Sequence, residues 1–276
     1  MRPRTLKDIL RIVGDLVAFS GTSELEHMQT PAIRSFLHHG RLEKGWSPKT
    51  FHIYRQYLKT FFDWCRRQGF LRKNPVDSIE KPKLPSKLPR ALPRDQARKI
   101  LFSATWYPWR YGFQKARNTT ILAIFLLTGI RLQELLNLNI SDVDLPNRQI
   151  LIQQGKGRKD RWVPINDRLF HFLKQYFDAR KTFGKKSDCL FPGLGSQKRL
   201  RVKDIRRICQ VVGRDANVKF TPHMLRHTFA RAMVENDFPL YKLKEIMGHS
   251  SILTTQIYLS VSRSNLQKSF ALVNLY

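Results

Sequence analysis

Apolar positions recur at helical spacing through the first eighty residues. After Ser47, the residues Phe51, Tyr54, Leu58, Phe61, Phe62 and Cys65 share one side of a helix. Lys49, His52, Gln56, Lys59, Asp63 and Arg66 share another. Ser47-Pro48 and Thr30-Pro31 both read as an N-cap followed by proline at the first helical position. Gly69 closes the helix that starts at Pro48 and runs to about Gln68. The leading stretch MRPRTLKDILRIVGDLVAF begins basic, as a signal peptide does, but Asp8, Arg11 and Asp15 break its apolar run. An amphipathic helix is the expectation there. Residues 1–80 therefore predict a small helical bundle with one mostly basic helix face.

The pattern changes after KPKLPSKLPRALPR, residues 81–94. Four prolines exclude a continuous helix or central strand, and the rest is largely basic, so the stretch predicts a semi-rigid linker. Beyond it, residues 95–276 form a second predicted domain. Helices are expected over about 94–103, 112–127, 167–182, 201–213, 223–235 and 239–247. QILIQQ (149–154) and RWVPIN (161–166) read as short strands joined by the Gly-rich turn GKGRKD. The longest apolar run, ILAIFLL at 121–127, is far short of the roughly 20 residues of a membrane span and predicts a buried helix. The fold class that emerges is mainly α with a small antiparallel β-sheet.

Charge narrows the function. Lys and Arg number 50 against 21 Asp and Glu in 276 residues, a net +29, while 42% hydrophobic content marks a globular chain. Self-repulsion on that scale calls for a polyanion, with nucleic acid first and a membrane surface second. A solvated basic face is the bland alternative for the helix after Pro48. Lys49, Thr50, Arg55 and Lys59 of that helix, with Arg158 of the Gly-rich turn, are the candidate DNA contacts. Cys65, Cys189 and Cys209 form no C-x-x-C pair, which fits a reducing, cytoplasmic setting and suggests no zinc knuckle.

Several short stretches carry groups suited to a phosphodiester. In TPHMLRHTFA, His223 and Arg226 share a helix face. His223 and His227 also stand at metal-ligand spacing, but Met224 occupies the position where a zincin has Glu, and no third ligand is near. In TGIRLQELLNL, Arg131 follows an apolar helix and a glycine, and needs either a structural partner, for which Glu134 stands at i+3, or a ligand. Lys156 lies between two glycines, where a backbone approaches phosphate closely, although basic hairpin tips are common. Arginine binds phosphate oxygens through two nitrogens at once. No carboxylate cluster suggests Mg²⁺ and no Walker A loop suggests ATP, so no metal and no cofactor are implied. A tyrosine in QIY reads alone as core.

Taken together, LLTGIRLQELLNLNISDVDL, GKGRKDRWVPI, HMLRHTFA and MGHSSILTTQIYLSVS resemble, in order and spacing, the boxes of the tyrosine recombinases, or phage integrase family, and look nearest to its Xer-type members. The resemblance runs from about Pro31 to Tyr258 and includes Asn74-Pro75; residues 1–30 have no counterpart in it. It implies a helical, SAM-like DNA-binding bundle and a mixed α/β catalytic domain that close as a C-shaped clamp on DNA. It assigns Arg131 and Arg226 to the scissile phosphate, Lys156 to protonation of the leaving 5′-oxygen, His223 and His249 to phosphate binding and proton transfer, and Tyr258 to nucleophilic attack. The implied activity is site-specific recombination through a 3′-phosphotyrosine and a Holliday junction. A type IB topoisomerase-like enzyme shares that chemistry, and a DNA-binding relative without catalysis is a further alternative. In the tail, 262–276, Leu266, Phe270 and Val273 form a short apolar stripe. The resemblance implies that this tail docks on the next subunit of a homotetramer on two DNA sites. Accessory proteins are possible partners, and no membrane is involved.

Overall fold

The computed structural model describes residues 3–84, 90–153, 160–248 and 258. The chain divides into two compact units, Met1–Lys87 and Leu88–Tyr276.

The first unit is built on α1 (Pro3–Ser20), α2 (Thr30–Leu42) and α3 (Pro48–Arg67). Ile12 and Leu16 of α1 meet Ile33, Phe36 and Leu37 of α2 and Leu58 and Phe62 of α3 in one core, and each is at most 1% exposed. Ser47 caps α3 as its sequence predicts, accepting the Thr50 N–H at 3.1 Å. Thr30 does not cap α2. It sits one residue inside the helix, and its hydroxyl donates to the Pro75 carbonyl at 2.7 Å. That bond ties α2 to the 74–79 loop.

The same loop encloses Arg55, one of the candidate DNA contacts. Arg55 is 6% exposed. Its Nε donates to Ile79 O at 2.7 Å and its Nη2 to Val76 O at 3.0 Å. The expectation that Arg55 contacts DNA is therefore corrected: its guanidinium is enclosed and holds a loop by backbone carbonyls, which a buried charge requires. Asn74 completes the joint through Lys59 O and Asp63 Oδ1. Lys59 is half-buried and paired with Asp77 and Asp63. Thr50 is half-buried, its hydroxyl within hydrogen-bond distance of Ser47 Oγ, and Lys49 is exposed.

The second unit contains α4 (Arg94–Trp106), α5 (Gly112–Thr128), α6 (Leu132–Asn137), β1 (Val143–Asp144), β2 (Gln149–Ile152), β3 (Arg161–Pro164), α7 (Asp167–Thr182), α8 (Val202–Asp215), α9 (Pro222–Glu235) and α10 (Leu240–Met247). The strands form an antiparallel sheet in the order β1-β2-β3, with Ile150 opposite Val163. The C-terminal half of α5, from Ile121 to Leu127, is apolar all round, so it must be enclosed all round. Ile121 through Phe125 are 0% exposed, with α4, α7 and α9 packed about them. Leu92, inside the proline-rich stretch, is buried in this unit's core and donates its N–H to Thr228 Oγ1 on α9 at 2.8 Å. Among the described residues, no helix is long and apolar enough to cross a membrane.

Candidate active site

Helix α5 ends because Gly129 turns left-handed, at φ 62°. The chain then delivers Arg131 to the N-terminus of α6. Glu134, one turn into α6, accepts the Arg131 backbone N–H and its Nη1, each at 2.8 Å. The local partnership read from the sequence is present, but it is not the whole arrangement. Arg161, at the start of β3, reaches the same carboxylate with both terminal nitrogens.

These arginines converge with a third on one helix end. The last carbonyls of a helix have no partner within it, and positive charge is favoured beside them. At the end of α10, Ile246 O accepts Arg161 Nε at 2.8 Å and Met247 O accepts Arg226 Nη2 at 2.8 Å. Gly248 O accepts Arg131 Nη2 at 2.6 Å. Arg226, on α9, also donates to Gly129 O. Strand β3, the start of α6, helix α9 and the ends of α5 and α10 are thus joined by side chains of one type. Gly248 allows the approach: it is left-handed at φ 61°, and a Cβ there would lie 2.8 Å from the Arg161 guanidinium carbon.

Three guanidiniums face one carboxylate here, leaving an excess of positive charge. Burial, then the neighbouring Arg131 charge, lowers the Arg226 pKa to about 10. Burial alone would raise the Glu134 pKa. The hydrogen bonds and charge of Arg161, with the bonds from Arg131, outweigh it and hold Glu134 at about 2. An anion docking on Arg131 and Arg226 would offset the remaining charge. Each guanidinium has five N–H donors, so both keep donors for it beyond those bound to carbonyls and Glu134.

Tyr258 is 2% exposed and packs with Phe229, Ala230 and Val234 of α9 and Leu243 and Met247 of α10. To that extent the plain packing reading of the tyrosine holds. Its hydroxyl, however, lies 2.6 Å from His227 Nδ1. Burial raises the Tyr258 pKa and the charge of Arg226 opposes that rise. His223 is exposed on the turn before His227, the two rings being 5.1 Å apart. With Arg226 it lines a groove of about 850 Å³ between α6, α8 and α9.

The structure therefore brings Arg131, Arg226, His223 and Tyr258 onto α9 and the elements bonded to it. Lys156, Arg158, His249 and the tail 262–276 lie outside the described residues. Sequence reasoning missed Arg161 and His227. Arg161 has no local cue, because its partners are 27 and 85 residues away. His227 has one: it follows Arg226 directly and stands one turn after His223, a spacing that by itself suggests only a metal ligand.

The phage integrase family model matches residues 90–265. The tyrosine recombinase XerA of Thermococcus onnurineus (strain NA1) is 34% identical over 228 residues, covering 82% of this chain and 76% of its own length. The tyrosine recombinase XerC of Salmonella typhi is 30% identical over 264 residues, covering 94% of this chain and 85% of its own. That span reaches into residues 1–30, correcting the expectation that they lack a counterpart. In three dimensions the chain is similar to the XerH site-specific recombinase in its pre-cleavage complex with a difH substrate. The TM-score is 0.72 at 26% identity, over 92% of this chain and 73% of that one.

Proposed function

This chain belongs to the phage integrase family of tyrosine recombinases, and from that premise we propose how its residues cut and rejoin DNA at specific sites. The scissile phosphate is held by Arg131 and Arg226. Tyr258 attacks phosphorus, leaving the strand joined to the protein as a 3′-phosphotyrosine and releasing a 5′-hydroxyl. Lys156 protonates that leaving oxygen, and His223 and His249 assist binding and proton transfer. A 5′-hydroxyl from a partner strand reverses the step, and two rounds pass through a Holliday junction. The ester conserves the energy of the broken bond, so the chemistry requires neither ATP nor metal.

The observation that carries this reading is the convergence of Arg131 and Arg226 on the end of α10, with Tyr258 in the field of Arg226. Attack on a phosphodiester builds negative charge on phosphoryl oxygens. Fixed cationic donors whose charge exceeds that of their own carboxylate favour that state over the ground state.

Around this centre we place the rest of the assembly. Lys49, Thr50, Lys59 and Arg158 contact the DNA backbone, and the basic linker follows it. Residues 262–276 dock on a neighbouring copy, building a homotetramer on two duplexes, with accessory proteins as further partners. The setting is cytoplasmic, on the nucleoid. A nicked suicide duplex, which traps the covalent intermediate, tests the core of the proposal. Wild type should yield a protein–DNA adduct and Tyr258→Phe none, with DNA binding retained by both. An adduct formed by the Phe variant would remove Tyr258 from its role.

A further inference from the structure

A phenol must lose its proton as it attacks, so something within hydrogen-bond reach must take it. Among the described residues, the group in contact with the Tyr258 hydroxyl is His227 Nδ1, at 2.6 Å, with the rings 5.7 Å apart. His227 projects from α9 one residue after Arg226, so the helix that grips phosphate also holds the tyrosine oxygen. We infer that His227 is the catalytic base that accepts the Tyr258 proton during strand cleavage. This rests on the reading of Tyr258 as nucleophile and adds a member to the set assigned to it.

The step balances as follows. A bond forms between Tyr258 Oη and phosphorus, and the bond from phosphorus to the 5′-oxygen breaks, its electron pair staying on that oxygen. The phenolic proton moves to Nδ1 of an imidazole whose other proton sits on Nε2. The leaving oxygen takes its proton from a separate acid, Lys156 in the proposed set. In rejoining, the imidazolium returns its proton to the departing phenolate.

The surroundings link this transfer to the presence of DNA. Among the described residues, the charged and titratable groups facing His227 are His223, Arg226 and Tyr258 itself. Burial first, then His223 and Arg226, lowers its pKa to about 4, so the ring is neutral and its lone pair is available at neutral pH. Without DNA the acceptor is too weak to ionise a tyrosine whose own pKa is raised by burial. A phosphate docked on Arg226 offsets that guanidinium's field, and charge building in the transition state offsets it further. The imidazole becomes a stronger base at the moment the nucleophile needs one.

The test separates base from prop. His227→Asn keeps a hydrogen-bonding side chain on the helix but no titratable nitrogen. Single-turnover cleavage of the suicide duplex should fall by about 10²–10⁴-fold, with DNA affinity unchanged. Placing a fluorinated tyrosine at position 258, an acidic phenol of similar size, should restore at least tenfold of that loss in the variant. The same replacement should change the rate of the unsubstituted chain much less. Should the Asn variant lose DNA binding, His227→Gln is read by the same criteria. Cleavage within threefold of wild type overturns the inference. Slowed cleavage with no rescue also overturns it, leaving His227 as a positioning residue. Failure of the nucleophile assignment looks different: the adduct would map by peptide sequencing to a residue other than Tyr258.

Discussion

Arg161 grips Glu134 with both terminal nitrogens, Nη1 to Oε1 at 3.1 Å and Nη2 to Oε2 at 2.7 Å. Because Glu134 also binds Arg131, a single carboxylate fixes β3 against the start of α6.

That pair sets a pH dependence. Glu134 is held at about 2, below its ordinary 4.5. A carboxylate with a depressed pKa adds stability that is complete above its unfolded value and is lost as pH falls through the folded one. Glu134→Gln should destabilise the second unit by about 3 kcal/mol at neutral pH, since two guanidiniums lose their partner. The difference from wild type should shrink between pH 4.5 and 2. Urea unfolding followed across that range checks both statements, and a constant difference would refute them.

Charge alone should not replace Arg226. The guanidinium spans two carbonyls, Gly129 O and Met247 O, on separate segments, a task that a lysine ammonium performs poorly. Arg226→Lys should lower single-turnover cleavage by about 10²–10³-fold with little change in duplex affinity. Gel-shift and suicide-substrate assays on one preparation compare the two readings directly.

Lys49 and Arg55 should part company although both lie on α3. Arg55→Ala removes bonds from a buried charge to loop carbonyls and should cost about 2 kcal/mol of stability. Lys49→Ala should leave stability within about 0.5 kcal/mol and reduce the slope of log affinity against log salt by about 1. Thermal melts and salt-dependent binding isotherms measure the two effects.

Two left-handed glycines should fail in different ways when changed to alanine. A Cβ on Gly129 would meet Phe229 Cδ1 at 2.3 Å, inside the packing beneath Tyr258. One on Gly248 would meet the Arg161 guanidinium at 2.8 Å and Arg131 Nη1 at 3.1 Å. Each also bears about 1–2 kcal/mol of backbone strain. Gly129→Ala should lower the melting temperature the more. Gly248→Ala should lower the cleavage rate more than its stability loss explains.

The elements were legible wherever local chemistry specified them. Ser47, Pro48 and Gly69 fix α3, and the two β-rich runs flanking GKGRKD pair as an antiparallel hairpin. What was not legible depends on partners distant in sequence. An arginine beside an apolar stripe looks the same whether it meets solvent or a loop, and only the 74–79 segment decides the fate of Arg55. Thr30 shows this in miniature: a cap-like residue whose hydroxyl is drawn to Pro75 O instead. At the site, Arg131 and Arg226 were recognisable by motif. The carbonyls of α10 that orient them were not, because backbone acceptors leave no mark in side-chain identity.

Those carbonyls also set an order of events during synthesis. Arg131 waits for an acceptor 117 residues downstream and Arg161 for one 85 residues downstream. A chain emerging from the ribosome displays the basic surface of its first unit, and most of its second, well before residues 246–248 exist. Until then the guanidiniums lack the helix end that aims them, and Tyr258 has not been made. On the proposed assignment, a nascent or prematurely terminated chain lacks both the helix end that aims its arginines and the attacking hydroxyl. On that assignment the capacity to cut is acquired only near the end of synthesis.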